Sequence, residues 1–360
     1  KLLSMKIALL NDTHFGCRND SPHFSHYQQR FYDEIFFPFI KKHKIKTLIH
    51  LGDVVDRRKF INYKTANFFR QKFMKRLWEE EVDTHIILGN HDTYYKNTNQ
   101  VNAITELCTT YDGVNEPWVY ANPKEVTFDG LNILFMPWIC DETYDESIHA
   151  IEHSNSEILM GHLEIKGFEM NRGFMNEQGL DRAVFKRFEK VISGHFHKKS
   201  DDGHIYYLGT QFEITWNDYK DPKGFHIFDT ETRELERIIN PYSIFKKIYY
   251  DDTLPSFDKD FDMASFKDKY VKLIVVNKKD LYKFDMFVDN LFKVDAFDVK
   301  IIEDFSDLDA SNVSDDIVEN TEDTITLLDR YIDELPLMLD KGRLKNTMKT
   351  LYNEAQDLDF

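Results

Sequence analysis

Leu88-Gly89-Asn90-His91-Asp92 follows the apolar pair Ile86-Ile87 and reads as the point where a buried strand gives way to ligand-type side chains. Strand ends of open α/β sheets are where ligands bind. Four further clusters have the same design, an apolar run and then polar groups. They are Asp12-Thr13-His14 after Lys6–Leu10, Gly52-Asp53-Val54-Val55-Asp56 after Thr47–Leu51, Gly161-His162 after 158–160, and Gly194-His195-Phe196-His197 after 191–193.

The segments between the first three clusters are helical in period. Tyr27, Phe31, Ile35, Phe36, Phe39 and Ile40 predict a covering helix over about 26–43, and Ala66, Phe69, Phe73 and Leu77 another over 63–78. Strand and helix alternating in this way imply parallel strands with right-handed crossovers. From Trp118 the pattern changes to short strands divided by turns: 126–128, a turn at Asp129-Gly130, 131–136, 158–160, 191–193, 224–228 and 235–239. That is the pattern of two sheets packed face to face, with the clusters along one edge. After Pro241, 270–277, 280–292 and 297–302 read as strand, helix, strand, a small appended unit. An acidic, serine-bearing stretch follows, and helical spacing then resumes in two stripes with a break near Pro336 and Gly342. The first stripe is Ile325, Leu328, Ile332 and Leu335; the second is Leu344, Met348, Leu351 and Ala355.

The chain has 360 residues, 42% of them hydrophobic, enough for two or three domains with a sizeable core. Cys17, Cys108 and Cys140 form no Cys-x-x-Cys, which predicts neither a disulfide framework nor a thiolate zinc site and points to a reducing cytoplasm. No apolar run suggests a leader peptide or membrane span. The net charge of −17 is uneven: residues 251–360 carry 27 acidic and 14 basic side chains, leaving 36 and 32 in residues 1–250. A surface for DNA can still form beside the clusters from Arg57, Arg58, Lys59, Lys96, Lys198 and Lys199, although each also has the plainer reading of a solvated charge.

Asp, His and one Asn amide make a mixed nitrogen and oxygen donor set. It suits Mn²⁺, Fe or Zn better than Ca²⁺, which prefers oxygen alone. Two ions held about 3.5–4 Å apart need a bridging carboxylate and can activate water and neutralise a phosphate. Asp53, at a tight Gly turn, is the natural bridge.

The five clusters together resemble the signatures of the calcineurin-like metallophosphoesterases, and within them the SbcD-type DNA-repair nucleases, nearest to the recombination-endonuclease subunits of T-even-like phages. Met136-Pro137-Trp138-Ile139-Cys140, Tyr207-Leu208-Gly209-Thr210 and Asp221-Pro222-Lys223-Gly224-Phe225 support the narrower likeness. The resemblance implies a two-sheet α/β sandwich flanked by helices. It implies one metal site of Asp12, His14, Asp53 and His197 and a second of Asp53, Asn90, His162 and His195, with His91 as the acid on the leaving oxygen and Asp92 orienting it. Some members carry another histidine three residues after the bridging Asp, where this chain has Asp56.

The expected organisation is a nuclease domain at 1–243, a small α/β DNA-capping domain at 244–304, an acidic linker at 305–320 and a helical pair at 321–360. The implied activity is Mn²⁺-dependent cleavage, exonucleolytic on double-stranded and endonucleolytic on single-stranded DNA. The implied setting is the host cytoplasm, as a homodimer within a heterotetramer with an SMC-like ATPase, whose coiled coil would meet Ile325, Leu328, Ile332, Leu335, Leu344, Met348 and Leu351. The alternative is a metallophosphatase or nucleotide phosphodiesterase acting on a small or protein substrate.

Overall fold

A computed structural model describes residues 5–108, 116–171, 174–254, 262–303, 332, 341–345 and 347–348. These form two compact units. One comprises the described residues up to Lys246 with Phe266–Tyr270 and Asp295–Phe297, and the other comprises the remainder.

The first unit is built on two six-stranded sheets. One runs, edge to edge, Leu235–Ile239, Gly224–Asp229, Lys6–Leu10, Thr47–His50, Asp83–Ile87 and Trp118–Tyr120, the last four parallel as the helical crossovers require. The other runs Ser200–Asp201, Ile205–Tyr207, Lys190–Ser193, Ile158–Gly161, Leu131–Met136 and Lys124–Phe128, with the central four parallel.

Strand periodicity sorts the side chains into layers. Ile7, Leu9, Ile49 and Ile87 share a core with Phe135, Ile158, Met160 and Ile192 of the facing sheet. One residue out of phase, Ala8, Leu10, Leu48 and Ile86 pack with the helical aromatics Phe24, Phe31, Tyr32, Phe69 and Phe73. On the far side, Leu134, Leu159 and Val191 pack with Ile151 and Phe185. The order is therefore helix, sheet, sheet, helix.

Strands 131–136, 235–239 and 270–277 have their expected bounds, and the remaining differences have local causes. The first covering helix starts at Pro22, ahead of His26, because proline suits the first helical position, where no N–H is needed. It continues through a π turn over Tyr32–Phe36 into Phe37–His43, with Phe37 N–H donating to Tyr32 O immediately before Pro38. Trp118–Tyr120, Ser200–Asp201 and Ile205–Tyr207 are strands too short to carry a period, and Tyr144–His153 is an additional helix.

The second unit takes in most of the strands Phe245–Asp251, Tyr270–Asn277 and Asp298–Ile302, paired in that order. Its helix Leu281–Lys293 is capped by Asp280 and buries Phe284, Phe287 and Leu291. In the tail, Ile325, Leu328, Leu335, Leu351 and the expected break at Pro336 lie outside the described residues. Ile332 is helical and buried, and Leu344 and Met348 are helical and half-buried. The break expected at Gly342 is corrected: 341–345 are helical through it. Gly weakens a helix by about 1 kcal/mol without forbidding it. Among the described residues no helix is long and apolar enough to cross a membrane.

Glu213 anchors the start of the strand Phe245–Asp251 within the first unit, accepting hydrogen bonds from Ile244 N at 2.6 Å and Phe245 N at 3.0 Å. Burial pushes its carboxyl up to about 7 against the pull of those two donors. A raised folded-state pKa means that the folded chain holds the proton longer than the unfolded chain, so stability falls as pH rises from the ordinary carboxylate range through about 7. Glu213→Gln keeps an acceptor without the charge. Its melting temperature should exceed that of the parent at pH 8 and converge with it near pH 4.5, as measured by thermal denaturation across pH.

Candidate metal centre

Every cluster sits at the carboxyl end of a parallel strand, and backbone contacts draw the ends of both sheets together. Asp12 N donates to Gly52 O at 2.8 Å, His162 N to Met136 O at 3.0 Å, Gly194 N to Gly161 O at 3.0 Å and Trp138 N to Leu88 O at 2.8 Å. Two glycines are indispensable to this approach. A Cβ on Gly52, whose φ is +92°, would lie 2.5 Å from His162 Nδ1 and 2.8 Å from Gly89 Cα. One on Gly89 would lie 2.2 Å from Asp53 Oδ1. Asp12, His14, Asp53 and His195 themselves have left-handed φ of 48°, 43°, 55° and 84°, conformations that L residues rarely adopt.

Two groups of converging donors result, Asp12 with His14 and His197, and Asp53 with His162 and His195. His14 Nε2 and His197 Nε2 face each other at 3.1 Å. Asp53 Oδ2 lies 3.3 Å from His162 Nε2 and 3.9 Å from His14 Nε2, between the two groups. Asn90 Oδ1 is 3.0 Å from His162 Nε2. His162 Nδ1 is 2.8 Å from Leu51 O, a carbonyl that can only accept, so Nδ1 carries the hydrogen and Nε2 faces the oxygens.

The charge at this edge favours cations. Burial alone depresses an imidazole, yet at His14 the hydrogen-bonded Asp56 and the charges of Asp53 and Asp12 outweigh it and push the ring up to about 9. At His162 the Asp53 charge and hydrogen bond likewise outweigh burial and push it to about 9. Burial and then the His162 charge pull His195 down to about 3, keeping it a neutral donor. Imidazole nitrogens converging with buried carboxylates are the donor set a divalent ion of mixed nitrogen and oxygen preference takes, so the residues present fit two such ions.

His91 is half-buried at the lip, with its ring edge-on to His14 at 4.9 Å between centroids. The expectation that Asp92 orients this ring is corrected. The Asp92 carboxylate is fully buried and accepts from four backbone N–H groups, those of Asp53, Val54, Val55 and Gly89, at 2.8–3.2 Å. What faces the His91 ring is a carbonyl, Asp56 O, at 2.6 Å from Nδ1. The ring therefore donates through Nδ1 and presents Nε2 outward. Asp56 also sets its carboxylate 3.4 Å from His14 Nδ1.

The basic residues are less uniform. Arg57 is paired with Asp20 at 3.1 Å and lies over the Phe60 ring, Lys198 is bonded to Glu169, and Lys199 is paired with Asp201 at 2.8 Å. Arg58 is half-buried, and Lys59 and Lys96 are exposed.

One supporting residue escaped the sequence reading. Lys223 is only 3% exposed, and its ammonium donates to His197 O at 2.9 Å, Asp218 at 2.7 Å and Asp221 at 2.8 Å. Its motif was visible, but its target lies 26 residues away. Lys223→Met should strand a buried carboxylate and cost about 3–5 kcal/mol in urea unfolding. Adding Asp218→Asn, which removes the charge and keeps an acceptor for Ile214 N and Thr215 N, should recover most of that loss.

A profile of the calcineurin-like phosphoesterases matches residues 5–199. The chain is similar to "Exonuclease subunit 1" of Enterobacteria phage T4, with 34% identity over 98% of this chain and 99% of that one. It is also similar to a subunit of the SbcCD nuclease of Staphylococcus saprophyticus, with 22% identity over 64% of this chain and 67% of that one. A solved structure described as a novel archaeal phosphodiesterase aligns with 66% of this chain and all of its own at 16% identity and a TM-score of 0.34, too distant to weigh. On the profile match and the full-length relative, the chain belongs to the calcineurin-like phosphoesterases and is a phosphodiester hydrolase with two candidate metal sites.

Proposed function

We propose that the protein is a two-metal DNA nuclease, working with Mn²⁺ as exonuclease on double-stranded and endonuclease on single-stranded DNA. The observation that carries this reading is the position of Asp53 Oδ2, within reach of both His14 and His162. One ion would be held by Asp12, His14, Asp53 and His197 and the other by Asp53, Asn90, His162 and His195. Bound there, the ions supply charge neutralisation for the phosphate and an activated water.

The chain's own residues do the rest. Leu51 O fixes the His162 tautomer, and Asp56 O fixes that of His91. When the His91 ring carries a second proton, Nδ1–H stays on Asp56 O and Nε2–H is the one given to the leaving oxygen, which leaves the ring neutral, while Asp92 holds the 53–55 turn rigid beneath it. Lys59 and Lys96, with Arg57, Arg58, Lys198 and Lys199, would meet the DNA backbone. The names of the relatives, an exonuclease subunit and a subunit of SbcCD, support DNA as substrate and a partner subunit. We take that partner to be an SMC-like ATPase met by the tail beyond an acidic linker at 305–320, in a heterotetramer containing two copies of this chain, inside the host cell. Residues 244–304 would be the DNA cap on the 1–243 nuclease.

Asp53→Asn should lower bound Mn²⁺ at both sites by metal analysis and abolish cleavage of labelled DNA. Full cleavage in excess chelator would end the two-metal reading. His91→Gln should retain both ions and lose about 10²–10⁴-fold in rate, the usual worth of a positioned acid. A fall in metal content would instead make His91 a ligand. A protein that hydrolyses phosphomonoesters and leaves DNA intact would be the phosphatase of the alternative reading.

A further inference from the structure

Met136-Pro137-Trp138-Ile139-Cys140 contributes nothing to the donor set, yet part of it lines a cavity of about 280 Å³ that reaches His162. Trp138, Ile139, Tyr144, Leu163 and Leu180 form its apolar wall, and Glu164 is its carboxylate. The Trp138 ring lies 5.2 Å from that of His195 and 6.2 Å from that of His162, so the same indole borders both the cavity and the second donor group. It is held in place at the backbone: Trp138 N donates to Leu88 O at 2.8 Å, and Trp138 O accepts from Asn99 Nδ2 at 2.8 Å. Tyr144, the first residue of the helix Tyr144–His153, is 49% exposed, a large ring held at the surface beside the site.

We propose that this cavity is a nucleobase subsite, which seats the base of one nucleotide flanking the scissile phosphate against Trp138 and Tyr144. The inference rests on the nuclease reading and deepens it. No lysine or arginine lines the cavity, which argues against a second phosphate. Its walls are aromatic and aliphatic, which suits a flat ring, and Glu164 offers an acceptor to an exocyclic amino group. The volume lies at the lower edge of the range of ligand pockets and has room for one base. A base seated there is out of the duplex stack, which makes frayed ends and single strands the preferred substrates.

The test compares the parent, Tyr144→Ala and Tyr144→Phe with Mn²⁺ on one oligonucleotide, intact or made abasic on either side of the scissile phosphate in turn. Removing the base on one side should lower kcat/KM by about tenfold, in the lower part of what base–aromatic stacking contributes. Tyr144→Ala should lose about as much on the intact substrate, and the two losses should not multiply when combined. Tyr144→Phe, which keeps the ring, should recover most of what Tyr144→Ala loses. Cleavage indifferent to the missing base, or two losses that multiply, overturns the subsite and leaves the nuclease reading standing. Hydrolysis of bis(4-nitrophenyl) phosphate without any DNA cleavage overturns both.

Discussion

A carboxylate with no visible part in the chemistry holds this site together. Asp92 gathers the N–H groups of Asp53, Val54, Val55 and Gly89, which ties the turn after one strand to the turn after its neighbour. Charge-assisted bonds of this kind are about twice as strong as neutral ones, and burial removes the water that would compete for the donors. The bridging position of Asp53 follows from that clamp.

The backbone around the clamp is unusual. Residues held in the left-handed region cost about 1–3 kcal/mol each and persist where the surroundings determine them many times over. Asp12, His14, Asp53 and His195 are four such residues in one cluster. Hydrogen bonds tie the three turns together: His14 N donates to Asp53 O at 3.1 Å and Phe15 N to Val54 O at 2.8 Å, while His195 N donates to the Asp12 side chain, Oδ2, at 2.9 Å. The result is a set of donors converged at one edge of the two sheets.

The fold and the converging donors were legible in sequence because each cluster directly follows an apolar run, so proximity came with the topology. The supporting groups were not. Adjacency suggested that Asp92 serves His91, but consecutive side chains leave a turn in different directions, and the nearby Asp56 carbonyl does that work. A main-chain carbonyl has no sequence signature. Lys223 looked like any lysine until the fold set it under His197. The strand Phe245–Asp251 was obscured because it opens on two lysines after Phe245 and its buried residues, Phe245, Lys247, Ile248 and Tyr250, do not alternate.

The donors also come from both sheets: Asp12, His14, Asp53 and Asn90 follow strands of one, and His162, His195 and His197 follow strands of the other. Contacts such as His14 with His197 span 183 residues, and long loop closures of this kind are late events in folding. A chain emerging from the ribosome has neither donor group complete until His195 and His197 have been made and the second sheet has closed on the first. The hydrolytic centre is thus withheld from the nascent polypeptide by chain connectivity alone, and a prematurely terminated product ending before that point cannot be an unregulated hydrolase.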